Sequence, residues 1–226
     1  MAEPLLVVKE AAKTYGDLVA LEPLNLTIKA RERVALVGHN GSGKSTLLKL
    51  TAGMLELSDG TIEIEGASAG SADARAATSY VPDDPVLYDD LSVREHLAYV
   101  ASLHGVDASA EDFDGLLDRL GLLHRADDLP ARFSRGLRQK TSIALGVVRP
   151  CRLLLVDEPF VGLDASGKQA LLDLLEELQG LGVTTVVATH DPLYVERVSR
   201  CIALRDGELV HDGTATPEDV LRLVGA

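Results

Sequence analysis

Between residues 38 and 46 the chain reads Gly38-His39-Asn40-Gly41-Ser42-Gly43-Lys44-Ser45-Thr46. Glycines, one lysine and a run of hydroxyls at this spacing suit a polyphosphate. Backbone N–H groups can wrap around phosphate oxygens only where positive φ and a missing Cβ let the chain curl. A helix opening near Lys44 would aim the positive end of its dipole at the same oxygens. Lys44 supplies a point charge for the β- and γ-phosphates, and the Ser45 hydroxyl is a ligand for Mg²⁺. Further along, Leu153-Leu154-Leu155-Val156-Asp157-Glu158-Pro159 is an apolar run ending in two acids. A buried strand has no use for adjacent carboxylates unless something pairs with them. At the C-terminal edge of a parallel sheet they face the nucleotide crevice. There Asp157 would hold Mg²⁺, largely through water, and Glu158 would polarise or deprotonate an attacking water.

These groups need elements to position them. Val34 to Val37 is an apolar strand that leads into the glycine loop, and a helix follows from Lys44 to about Gly53. Before it, Leu5 to Val8, Val19 to Leu21 and Leu24 to Ile28 read as short β segments. The middle of the chain is helical. Ser92 and Glu95 have the spacing of a capping box for a helix from Val93 to Leu103. Phe113, Leu116, Leu117 and Leu120 share one face of a second helix. Leu137, Thr141, Ala144, Leu145 and Val148 mark a third, with Ser134 as its N-cap. Continuous apolar or β-branched runs return at Leu153 to Val156 and Val183 to Thr189, as in strands covered on both faces. Leu171, Leu174, Leu175 and Leu178 line a helix between them, and the segment around Asp206-Gly207 reads as a hairpin turn. The expectation is an α/β fold with a mainly parallel sheet core, an N-terminal antiparallel β region and a helical subdomain inserted at about 84–150. Residues 1–226 would form one such unit.

Composition narrows the function. The formal charge is −13 and the pI about 4.8, the opposite of a nucleic-acid footprint, so no nucleic-acid partner is expected. The two cysteines, Cys151 and Cys201, have no paired spacing and read as reduced thiols. The N-terminus lacks the basic and apolar regions of a signal peptide. No run approaches the roughly 18 apolar residues of a membrane span, so a membrane pathway would have to come from another chain.

What lies between and after the two motifs carries a family resemblance. Phe133-Ser134-Arg135-Gly136-Leu137-Arg138-Gln139-Lys140 resembles the signature of ATP-binding cassette (ABC) proteins, usually L-S-G-G-Q. Gly162-Leu163-Asp164 resembles their D-loop, and His190, closing the strand Val183 to Thr189, their switch histidine. Tyr15 is similar to the aromatic that stacks on adenine. With the phosphate loop and the carboxylate strand, these stand in family order over essentially the whole chain. The resemblance implies a P-loop NTPase of the ABC ATPase fold, with ATP and Mg²⁺ as ligands. Ser134, Arg135 and Gly136, at a helix tip, would cap the γ-phosphate held by a partner cassette, either a second copy or a paralogue. Asp164 would couple the two sites, and His190 would hold the γ-phosphate and help position water. A transmembrane permease would dock near residues 82–104, placing the chain peripherally at the cytoplasmic face of the cell membrane.

Two departures stand out. Asp83 occupies the position where the family has glutamine, at the entry to the helical lobe. A carboxylate there can reach Mg²⁺ or its water but repels the γ-phosphate where no metal is present, so closure is expected to depend more strongly on Mg²⁺. In the signature, Phe133, Arg135 and Leu137 replace the usual residues. Such loosened signatures are similar to those of export-type cassettes with separately encoded permeases. The alternative is a soluble, non-transport ABC ATPase. A cassette that binds ATP without hydrolysing it is disfavoured because Glu158 and His190 are both present.

Overall fold

The computed structural model describes residues 3–107 and 112–224. Two sheets share one buried layer. The N-terminal sheet is antiparallel, with order β2-β1-β4-β5; its strands are β1 (Pro4–Tyr15), β2 (Leu18–Lys29), β4 (Asp59–Ile64) and β5 (Ala67–Ser68). The second sheet has order β10-β9-β3-β8-β7-β6, from β3 (Arg33–Val37), β6 (Thr78–Val81), β7 (Leu153–Asp157), β8 (Thr184–Ala188), β9 (Arg200–Arg205) and β10 (Glu208–Gly213). All its pairings are parallel except β9 with β10.

Period-two alternation divides this second sheet between two cores, as an apolar strand buried on both faces must. Val34, Leu36, Leu153, Leu155, Val186 and Ala188 pack toward the N-terminal sheet and helix α1 (Lys44–Thr51). Ala35, Val37, Leu154, Val156 and Val187 face the other way, toward the remaining large helices. These are α3 (Val93–Leu103), α4 (Phe113–Arg119), α5 (Arg135–Val147) and α6 (Ala165–Gly180). Short helices α2 (Ala72–Ala77), α7 (Pro192–Val195) and α8 (Pro217–Val224) complete the order. Helices α3 to α5 fall between β6 and β7, where the sequence places its helical insertion; residues 108–111 of that stretch lie outside the described residues.

The expected caps are present. Ser92 and Glu95 close a reciprocal capping box on α3, and the Ser134 hydroxyl accepts from the Leu137 N–H at the start of α5. The N-terminal β segments are longer than their apolar runs. β1 is one strand because Glu10, at φ 47 in the left-handed region, forms a bulge between Val8 and Ala11 that shifts the register without ending the pairing. The hairpin β4–β5 has no counterpart in the reading of the sequence. Its signal was the alternation in Thr61–Ile64 before Glu65-Gly66, both at positive φ as a tight hairpin turn requires.

Candidate active site

The phosphate loop joins β3 to α1. Gly43, at φ 103, is the helix cap, and a Cβ there would lie 2.9 Å from the Ala20 carbonyl of β2; no other residue type fits both demands. The loop is braced from the far hairpin, where the Gly207 N–H donates to the Ser42 carbonyl at 3.1 Å and Asp206 lies 3.2 Å from the His39 ring. Lys44 is buried. Its ammonium donates to the carbonyls of Gly38 at 2.7 Å and His39 at 3.2 Å, and stands 3.7 Å from Glu158. Asn40 and Ser45 are exposed and Thr46 half-buried on the same turn.

Asp157 and Glu158 leave β7 at the C-terminal edge of the sheet. Burial raises the Asp157 carboxyl above its ordinary range and the Asp83 charge adds to this, while the Ser45 hydroxyl, Lys44 and Lys49 pull it down. Tyr80 donates to Asp157 Oδ2 at 3.4 Å, and Oδ1 is buried without a hydrogen-bond partner. Glu158 is held in the left-handed region at φ 46, a conformation that costs a residue with a Cβ about 1–2 kcal/mol. Its N–H is fixed by the Ala188 carbonyl at 2.8 Å. Its two carboxylate oxygens lie 3.7 Å from Lys44 and 3.0 Å from His190 Nδ1. Burial raises this carboxyl too, against the attraction of His190 and Lys44.

Asp191, the residue after His190, is itself fixed from two sides. It caps α7 by accepting from the Leu193 N–H and receives the Lys168 ammonium at 2.5 Å. The reading of the sequence omitted this pair; an acid directly after the strand-end histidine, with a helix following, was its signal. Asp164 is the N-cap of α6, accepting from the Gly167 N–H at 2.8 Å, and that hydrogen bond holds its carboxyl below the ordinary range.

Ser45, Tyr80, Asp83 and Asp157 line one cleft of about 740 Å³. Glu158 and His190 line a second groove with Lys168 and Asp191. Ser134, Gly136 and Asp164 line a third, with none of the phosphate-loop residues. Tyr15 ends β1 half-exposed, with the Lys13 ammonium 4.9 Å from its ring centroid. Arg135 is exposed like Ser134, but its guanidinium pairs with Asp83 of its own chain at 3.1 Å.

The donor set suits a hard cation beside a phosphate. The unpartnered Asp157 oxygen and the Ser45 hydroxyl are the kind of oxygen ligands Mg²⁺ takes, and the unpartnered buried Ser42 hydroxyl offers a hydrogen bond inside the cradle. Among the described residues no cluster of three or more His, Cys, Asp or Glu is ready for a metal. Mg²⁺ needs none when phosphates and waters supply most of its shell.

The family model described as ABC transporter matches residues 21–161. The chain belongs to the ABC transporter family. The cassette is similar to SkfE of Bacillus subtilis, the SkfA peptide export ATP-binding protein, at 33% identity over 92% of this chain and 88% of SkfE. MacB of Hyphomonas neptunium, a macrolide export ATP-binding/permease protein, is 33% identical over 94% of this chain, which spans only 35% of MacB. A solved structure of the ATP binding subunit of an ABC transporter superimposes with a TM-score of 0.85 at 32% identity, over 98% of this chain and 95% of that one. Members of this family are ATPases, and these relatives favour a transporter subunit over a soluble ABC ATPase. No helix among the described residues is long and apolar enough to cross a membrane.

Proposed function

We propose that this cassette hydrolyses MgATP between two copies, or between itself and a paralogue, and so drives a separate membrane permease. The observation that carries the reading is Glu158. It is a buried carboxylate on a strained backbone, set between Lys44 and His190 at the mouth of the phosphate loop. Such a group is placed to take or orient a water's proton, and strain of this kind persists at functional sites.

In this reading residues 38–46 cradle the phosphates and Lys44 exchanges its carbonyl partners for phosphate oxygens. Tyr15 stacks on the base. Ser45 and Asp157, with Asp83 nearby, hold Mg²⁺, whose chemistry is to neutralise the charge that builds on the phosphates. Glu158 orients the water and His190 braces both Glu158 and the γ-phosphate. Ser134 and Gly136 lie in a groove apart from the phosphate loop, so they serve the nucleotide of the partner, with Asp164 between the two sites. The whole chain, 1–226, acts as one nucleotide-binding unit with its helical lobe at about 84–150.

The permease is placed against the lobe entry. There Val86 is 88% exposed and Leu103 62%, beside the same cleft that holds Asp83 and Asp157. The chain thus sits at the cytoplasmic face of a membrane without entering it. SkfE and MacB are both export proteins by name, which favours export here.

The test is ATP-driven dimerisation measured by light scattering. Glu158→Gln should bind ATP, hydrolyse it at least about a hundredfold more slowly and accumulate as a dimer. Lys44→Ala in the same background should stay monomeric. Full turnover in Glu158→Gln, or no ATP-dependent association with or without the membrane subunit, would overturn the proposal.

A further inference from the structure

The two residues that depart most from the family pattern meet each other. Arg135 opens α5, and its guanidinium lies 3.1 Å from Asp83 on the loop that follows β6. One turn along the same helix, Arg138 donates to the Pro85 carbonyl at 3.0 Å. The loop 83–85 is therefore fastened to α5 at two points by residues three apart, which share a helix face. The stem of Arg135 runs over the backbone at Gly162, where a Cβ would fall 3.4–3.6 Å from its side-chain carbons. The arginine is thus ordered from behind as well as at its tip.

Asp83 has a second neighbourhood. It lines the cleft with Ser45 and Asp157, and its charge is felt at both Asp157 and Tyr80. With Asp157 and Glu158 it is the third acid around the place where a polyphosphate would sit. On its own, a carboxylate at this position repels phosphate when no cation is present. The structure supplies the counter-charge from the same chain.

We propose that Arg135 is a positioning residue for Asp83: it holds the lobe-entry loop against α5 and neutralises the carboxylate, so that nucleotide can enter the cleft before a cation does. This rests on the reading of the cleft as the nucleotide site. Arg135 thereby acts on its own chain's nucleotide through Asp83, and not on the partner's nucleotide. Both side chains are about half exposed, 59% for Arg135 and 47% for Asp83, so the effect is modest and belongs to electrostatics more than to folding.

The test is a double-mutant cycle read by calorimetric titration of ATP. Wild type, Arg135→Gln, Asp83→Asn, the double variant and Arg135→Lys are each titrated in EDTA and in saturating Mg²⁺. In EDTA, Arg135→Gln should bind ATP about two- to fivefold more weakly than wild type. The loss should vanish in the Asp83→Asn background, and Arg135→Lys, which keeps the charge, should stay near wild type. In Mg²⁺ the loss should shrink, because the cation takes over the neutralising role. Two results overturn the inference while leaving the nucleotide site standing. One is an Arg135→Gln variant that matches wild type in EDTA. The other is a loss that persists in full beside Asp83→Asn, which means that Arg135 meets phosphate directly. Absence of ATP binding by wild type under both conditions overturns the site reading itself.

Discussion

Asp157 and Glu158 stand side by side at the end of β7, and burial lifts both carboxyls above the ordinary carboxylate range. An acid whose folded-state pKa lies above its unfolded value binds more protons when folded, so stability is lost as pH rises from about 4 through the raised values. At neutral pH the two charges therefore work against the fold, as buried charges poised for a ligand do. Asp157→Asn and Glu158→Gln should each melt a few degrees above wild type at pH 7, about 2–4 °C for every kcal/mol in a chain of this size. The gain should fade as the pH is lowered through the raised values, because the wild-type carboxyls then take up protons and lose the charge that opposes the fold. A lower melting temperature at pH 7 would show instead that Lys44 and His190 already repay the burial in the free chain. These residues were legible in the sequence because each is a chemically committed type at the end of an apolar strand. The pairing of Asp83 with Arg135 was not. They lie 52 positions apart, and nothing in either local pattern says which way a long side chain will turn.

Among the elements, α5 and the segment before α6 show where local pattern falls short. Helix α5, its cap Ser134 and its apolar face were readable from spacing alone, and so was the strand–loop–helix around Lys44. What the pattern hides is contact between elements. A Cβ on Gly136 would stand 2.4 Å from the Gly162 carbonyl, so this glycine is required by the backbone crossing it, whatever it does for a phosphate. Helix propensity would favour alanine in the first turn of α5 by up to about 1 kcal/mol, but displacing packed backbone costs about 1–3 kcal/mol. The clash wins. Gly136→Ala should lower the melting temperature and move the Gly162–Asp164 segment, visible as lost hydrogen-exchange protection at the N-terminus of α6. Gly180, the last residue of α6, has nothing within 4 Å of its Cβ position, and Gly180→Ala should stabilise the same protein slightly. If both substitutions act alike, the close approach at Gly136 is not what keeps the residue small.

For the molecule as a whole, the division of the site between separate grooves and the net charge pull in opposite directions. Completing a nucleotide site with the Ser134–Gly136 tip of another copy requires two chains of formal charge −13 to approach closely. Each bound nucleotide adds negative charge that Mg²⁺ only partly offsets. At about 0.01 M salt the screening length is roughly 30 Å, comparable with the molecule, whereas at about 0.1 M it is near 10 Å. Long-range repulsion should therefore slow encounter at low salt. For Glu158→Gln with MgATP, the association rate should rise several-fold between those two salt concentrations, in stopped-flow light scattering, while the dissociation rate changes little. Association between an acidic and a basic face would show the reverse, falling as salt is added. A falling rate would mean that the facing surfaces are locally complementary enough to outweigh the net charge. The basic side chains at the tip of α5 would then be steering the partner, and would not be occupied within their own chain.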